Sequence, residues 1–129
     1  MTLPEDMVGC CDSVSSLHAI EHFGLGRYGD PVDYFGHLKA LKNITKMLQP
    51  GGVFYFSTPI GEQRIEFNAH RVFSVQYLLD VFKNDYTLKR FSYIDDDGGF
   101  FEDVTLTDAV ISDNCGCVWG CGVFELQKN

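Results

Sequence analysis

The 129-residue chain has no apolar run near the roughly 18 residues a membrane-spanning helix needs. Its opening residues, MTLPEDMVGCC, show neither a basic n-region nor an apolar h-region, so no secretory signal is read there. Basic residues are scarce: ten Lys and Arg stand against eighteen Asp and Glu, a formal net charge of −8. Such a chain is a poor electrostatic match for nucleic acid or an anionic membrane, which argues against both as partners. These absences together predict a cytoplasmic protein. Internal repeats, low-complexity tracts and linkers are also missing, so residues 1–129 are expected to form a single domain. The five cysteines are an odd number, which suits a disulfide scaffold badly, and in a reducing compartment they are expected as thiols. Cys10 and Cys11 are adjacent. Cys115, Cys117 and Cys121 cluster, but three sulfurs fall short of the four ligands of a structural zinc site. Cys121, within VWGCGVFEL, reads as a small apolar residue on a strand.

What is present is an ordinary globular composition, 45% hydrophobic and 14% aromatic. DSVSSL (12–17) reads as a buried strand and HAIEHF (18–23) as one or two helical turns. Asp30 and Pro31 form a helix start, Asp as N-cap and Pro at the first helical position. Tyr34, Leu38, Leu41, Ile44, Thr45 and Leu48 then share one helical face, and QPGG (49–52) ends the helix. VFYFST (53–58) is a strand by its β-branched and aromatic content. A helix between two apolar strands makes a βαβ unit, so 12–17 and 53–58 are expected to be parallel neighbours. Residues 59–73 read as a polar loop, 75–83 as a short helix capped by Ser74, and 86–94 and 117–126 as two further strands. Segment 95–116 reads as a loop, a helical insertion or a hairpin.

Gly24, Gly26 and Gly29 spell G-x-G-x-x-G, but HAIEHF separates them from the preceding strand. Position 49, where a ribose-binding acid belongs, is Gln. These glycines are therefore read as a loop before the helix. If 18–23 is helical, His18, Glu21 and His22 stand at i, i+3 and i+4 on one face, and two imidazoles with a carboxylate suit a divalent transition metal.

LPED, CCDSVSSLHAIEHF, LQPGG, VFYFSTP and HRVFSVQYLLDVF, in that order, resemble the C-terminal half of the class I S-adenosylmethionine-dependent methyltransferases. HAIEHFGLGRYGDP also resembles an uncharacterised methyltransferase-like family of nematodes and bacteria. The resemblance covers residues 3–82 well and the tail more loosely. It implies an α/β fold: a partial Rossmann-like methyltransferase sheet with strands equivalent to four to seven, the last strand antiparallel, and flanking helices. It also implies that the Gly-rich loop and ribose-binding acid of the cofactor half lie outside this segment, so the chain alone is expected to bind S-adenosylmethionine weakly or not at all.

Carried over residue by residue, Leu3, Pro4 and Glu5 flank the adenine, and Ser16, Leu17 and His18 stand at the mouth of the site. Ser57, Thr58 and Pro59 lie on the acceptor side. His18 or His22 is the candidate base for an acceptor proton; His22 reads equally as a structural imidazole bonded to a backbone carbonyl. The cluster also resembles the Glu-x-x-Glu-His set of ubiquinone-pathway and small-RNA 2′-O-methyltransferases, which bind a divalent ion. There His18 replaces the first Glu, and His70 offers a fourth ligand.

Three functions follow as alternatives. One is methyl transfer to a small-molecule acceptor when a cofactor-binding half is supplied. The second is a non-catalytic fragment or pseudoenzyme serving as a binding or oligomerisation domain. The third is a divalent-metal domain, or metal hydrolase, on His18, Glu21, His22 and His70. The strand edge at 12–17, unpaired without the first strand of a full sheet, is expected to drive self-association or to be covered by a terminal segment.

Overall fold

The computed structural model describes residues 3–25, 32–66 and 70–129. The elements run β1 (Cys11–Leu17), α1 (Gly36–Met47), β2 (Leu48–Ile60), β3 (Arg64–Glu66), β4 (His70–Val72), α2 (Val75–Phe82), β5 (Tyr86–Ile94), β6 (Phe100–Phe101), α3 (Asp108–Ser112) and β7 (Gly120–Lys128). Single 3-10 turns form at Glu5–Met7, Ile20–His22 and Asn114–Gly116. The main sheet has the order β1-β2-β7-β5-β6, and β3 and β4 form a separate pair. No described helix is long and apolar enough to cross a membrane.

β1 and β2 are parallel, with Val14 opposite Phe54 and Leu17 opposite Ser57. β7 inserts between β2 and β5 and runs antiparallel to both. This is the sheet of a partial Rossmann-like methyltransferase fold: β1, β2, β5 and β7 stand where strands four, five, six and seven belong, and β6 is a short addition at the edge. Alternation sends Phe54, Phe56 and Ile60 to one face, where they meet Phe91, Phe124 and Leu126 from the neighbouring strands. Ala40 and Leu41 of α1 and Val75, Leu78 and Phe82 of α2 close over that face. The rings interlock: Phe56 lies 5.5 Å from Phe82, and Phe91 lies 4.9 Å from Phe124 in a T-shaped pair. On the opposite face Leu17 and Tyr55 remain exposed.

Several expectations need correction. The helix starts at Gly36, so Tyr34 lies outside it and is exposed. The Asp30–Pro31 cap, with Gly26 and Gly29, lies outside the described residues. Asp33 shapes the entry instead: its carboxylate accepts from the Phe35 amide at 3.0 Å and its carbonyl from Gly36. The far end of the helix also differs. Leu48 already pairs with Cys11, so QPGG lies inside β2, where the ladder jumps from Cys11–Leu48 to Ser13–Val53. Residues 49–52 are thus extruded opposite Asp12, and Gly51 takes a φ of 82° that a side chain would resist. The loop at 59–73 contains the β3–β4 hairpin. Segment 95–116 holds both a hairpin, β5–β6, and the short helix α3.

Candidate functional site

The site forms where β1 and β2 end side by side. His18, just past β1, has a left-handed φ of 54°, a conformation His tolerates better than most residues. Its amide donates to the Ser57 carbonyl, and its Nδ1 lies 3.0 Å from Ser57 Oγ. Ser57 is buried whereas His18 is exposed, so the hydroxyl fixes a ring that faces solvent. Thr58 is fully buried and its Oγ1 has no hydrogen-bond partner; Pro59 is half-buried beside Cys121 of β7.

The turn Ile20–His22 is a single 3-10 turn. His18 precedes it, so the shared helical face expected for His18, Glu21 and His22 does not exist. Glu21 is 1% exposed, and its Oε1 has no hydrogen-bond partner. Its other oxygen lies 3.8 Å from His22 Nε2. Burial pushes the Glu21 carboxyl up; its own backbone amide and the charges of His18 and His22 oppose this only in part. The His22 ring meets His70 of β4 edge-on at 6.0 Å. Among the described residues no three His, Cys, Asp or Glu side chains are arranged to hold a metal ion. The set His18, Glu21, His22 and His70 is therefore arranged as one imidazole bonded to Ser57, and a buried acid beside His22, whose ring in turn meets His70.

Of the residues expected near the cofactor, Leu3, Pro4 and Ser16 line one groove of about 540 Å³, with Ile20, Phe23 and Ile44. Glu5 and Leu17 are exposed and are not part of its lining. The groove is bounded by β1, α1 and the N-terminal turn.

Sequence reasoning missed Arg71. It is 3% exposed and donates to the carbonyls of Phe23, Asp33 and Tyr34, fastening the entry to α1 onto β4. The segment it clamps is tight. Asp33 N donates to Gly24 O, and a Cβ on Gly24 would stand 2.0 Å from the Asp33 oxygen. A buried guanidinium that holds backbone carbonyls has no local sequence signal beyond its place beside His70.

The parallel pair β1–β2, the antiparallel β7 beside it and the polar groups at the strand ends define a methyltransferase-like fold. The crystal structure of the MccD protein superimposes with a TM-score of 0.59 at 11% identity, over 99% of this chain and 64% of that one. That of the [4+2]-cyclase SpnF gives a TM-score of 0.61 at 11% identity, over 98% of this chain and 53% of that one. The chain thus spans between about half and two-thirds of the length of these structures. No curated protein matches it in sequence. The chain belongs to the family described as "Caenorhabditis protein of unknown function, DUF268", whose model matches residues 5–97.

Proposed function

We propose that this chain is the acceptor-side part of an S-adenosylmethionine-dependent methyltransferase-like unit, acting on a small molecule when a cofactor-binding part is supplied. The observation carrying this reading is the imidazole of His18, oriented by Ser57 at the adjacent ends of two parallel strands in a methyltransferase-like sheet. Ligands of open α/β sheets bind beyond the carboxyl ends of the strands.

The groove lined by Leu3, Pro4, Ser16, Ile20 and Phe23 fits one end of the cofactor. It offers an apolar wall of a size to take an adenine, with the Ser15 and Ser16 hydroxyls and the Asn43 amide as its polar groups. It lacks an acidic side chain for a ribose among its lining residues. When bound, the cofactor would supply a methyl group activated on a sulfonium. The chain's own residues position and deprotonate the acceptor. His18, with Nδ1 held by Ser57, presents its other nitrogen to solvent as the base. The buried Glu21 carboxyl stands beside His22, 3.8 Å from its Nε2. Fold alone does not fix the chemistry, since a [4+2]-cyclase shares it.

Nuclear magnetic resonance titration with S-adenosylhomocysteine tests the reading. Amide shifts confined to Leu3, Ser16, Ile20 and Phe23, saturating in the millimolar range, are expected. Lost charge-assisted contacts cost about 1.5–3 kcal/mol each, roughly tenfold or more in affinity apiece. No shift in the groove at saturating ligand overturns the cofactor assignment. Micromolar binding would show that no second part is needed.

The open edge of β1 favours a second reading, a binding or oligomerisation domain without catalysis. The same titration distinguishes it, since that reading requires an assembly whose groove shows no shift with S-adenosylhomocysteine.

A further inference from the structure

We propose that Cys10 and Cys11 form a two-thiol site that chelates a soft, thiophilic centre, trivalent arsenic foremost. This site is independent of the methyltransferase reading. Neighbouring residues in an extended chain send their side chains to opposite faces, yet the two sulfurs lie 3.2 Å apart. The local backbone breaks the alternation. Gly9 is left-handed at φ 64°, the strand begins only at Cys11, and the β1–β2 register shifts between Cys11 and Ser13. Both thiols are free; Cys10 is exposed and Cys11 half-buried. Access and convergence therefore occur together.

The separation matches a chelate. Two bonds of about 2.3 Å, the length of a zinc–thiolate bond, meeting near a right angle place their sulfurs roughly 3.2 Å apart. Direct closure to a disulfide is the harder alternative: adjacent Cα atoms are held about 3.8 Å apart, short of the roughly 4.4–6.8 Å usual for a disulfide. No described His, Asp, Glu or further Cys completes a three-residue metal set. A three-coordinate centre therefore keeps one position for its own substituent, as in an organoarsenical. The hydrogen bond with Cys10, then partial burial and the charges of Cys10 and Asp12, hold the Cys11 thiol above its ordinary value.

The other thiols compete poorly. Cys117 is buried, and burial pushes the Cys115 and Cys117 thiols up to about 12 and about 11. The pair also lies at the far end of β1 from His18. Six strand residues, 12–17, separate Cys11 from His18, a span of roughly 20 Å.

With an arsenic(III) oxide R–As=O as ligand, two As–S bonds replace the bonds to oxygen. The two thiol protons leave with that oxygen as one water, and arsenic stays trivalent throughout.

The test uses phenylarsine oxide and the intact chain, read by native mass spectrometry. One adduct per chain is expected, surviving excess 2-mercaptoethanol and removed by the dithiol 2,3-dimercaptopropanol. Cys10→Ser and Cys11→Ser should each weaken retention about tenfold or more, the loss of one of two bonds to the centre. A variant carrying Cys115→Ser, Cys117→Ala and Cys121→Ser should retain the adduct. Should that variant not fold, peptide mapping of the wild-type adduct locates arsenic directly. Retention unchanged in Cys10→Ser, an adduct mapped to Cys115–Cys121, or no adduct resistant to monothiol overturns the proposal.

Discussion

His37 should make the fold sensitive to mild acid. It lies on α1, 4% exposed, with Nε2 2.7 Å from the hydroxyl of Tyr77 on α2 and its ring 5.3 Å from Phe73. Burial, and then the Arg71 guanidinium on β4, lower its imidazole to about 4, while the Tyr34 backbone and the Asp33 carboxylate pull weakly the other way. An unfolded His titrates near 6.5. Between these values the unfolded chain binds a proton that the native chain refuses, so stability rises with pH. The His37 contribution is whole above about pH 6.5 and falls away as pH drops toward 4. Linkage over that interval predicts a loss of about 2 kcal/mol between pH 7 and pH 5, a large share of the 5–15 kcal/mol typical of a domain. Glu21 works in the opposite sense, because its raised carboxyl favours the folded state as pH falls. For that reason the comparison must be with His37→Gln, which keeps a group to bond Tyr77, leaves Glu21 in place and does not titrate. Urea unfolding of both chains at the two pH values gives the double difference. Wild type should lose about 2 kcal/mol more than the variant on acidification. Equal losses would refute the argument that His37 is held neutral.

Three further predictions concern packing and association. Arg71→Met, which leaves three carbonyls without their donor, should lower stability by roughly 3 kcal/mol; a urea midpoint within error of wild type would contradict the clamp. Gly24→Ala should prevent folding, since the new Cβ would strike the Asp33 carbonyl, whereas Gly51→Ala, with open space but φ 82°, should cost only about 1–2 kcal/mol. Circular dichroism melts showing equal effects would undo that contrast. The wild-type chain should self-associate through β1 in sedimentation velocity and Leu17→Lys should be monomeric; a monomeric wild type with its β1 edge bare disposes of the edge-pairing expectation.

The parts legible in the sequence were those written in local periodicity. Val14, Phe54 and Phe56 announced two strands, Leu41 and Ile44 the helix between them, and Ser74 the start of α2. Their parallel pairing followed from connection rules alone. The helix start was misread because Asp30–Pro31 has a strong cap pattern, while Asp33 wins through contacts to Gly24 and Arg71, residues distant in sequence. QPGG ends a helix by propensity, yet pairing of Leu48 with Cys11 draws it into a strand. In the site, His18 and Ser57 were named from the resemblance, and their hydrogen bond became visible only with β1 and β2 side by side. Glu21 was named for its ligand type; that it is a buried, half-unsatisfied acid depends on everything packed around it, which no spacing encodes.

The position of β7 has a consequence for biosynthesis. The last nine-residue strand, Gly120–Lys128, is an interior member of the sheet, bonded to β2 on one side and β5 on the other. As the chain emerges from the ribosome, β1, α1 and β2 can assemble early, but among the described strands β5 has only the two residues of β6 to pair with until β7 is made. The nascent protein must therefore carry the β2 and β5 edges unpaired until Gly120–Lys128 has emerged, a state open to mispairing and to chaperones. Loss of β7 alone would split the sheet in two, leaving β1–β2 on one side and β5–β6 on the other, so one strand made late joins two pairs made before it.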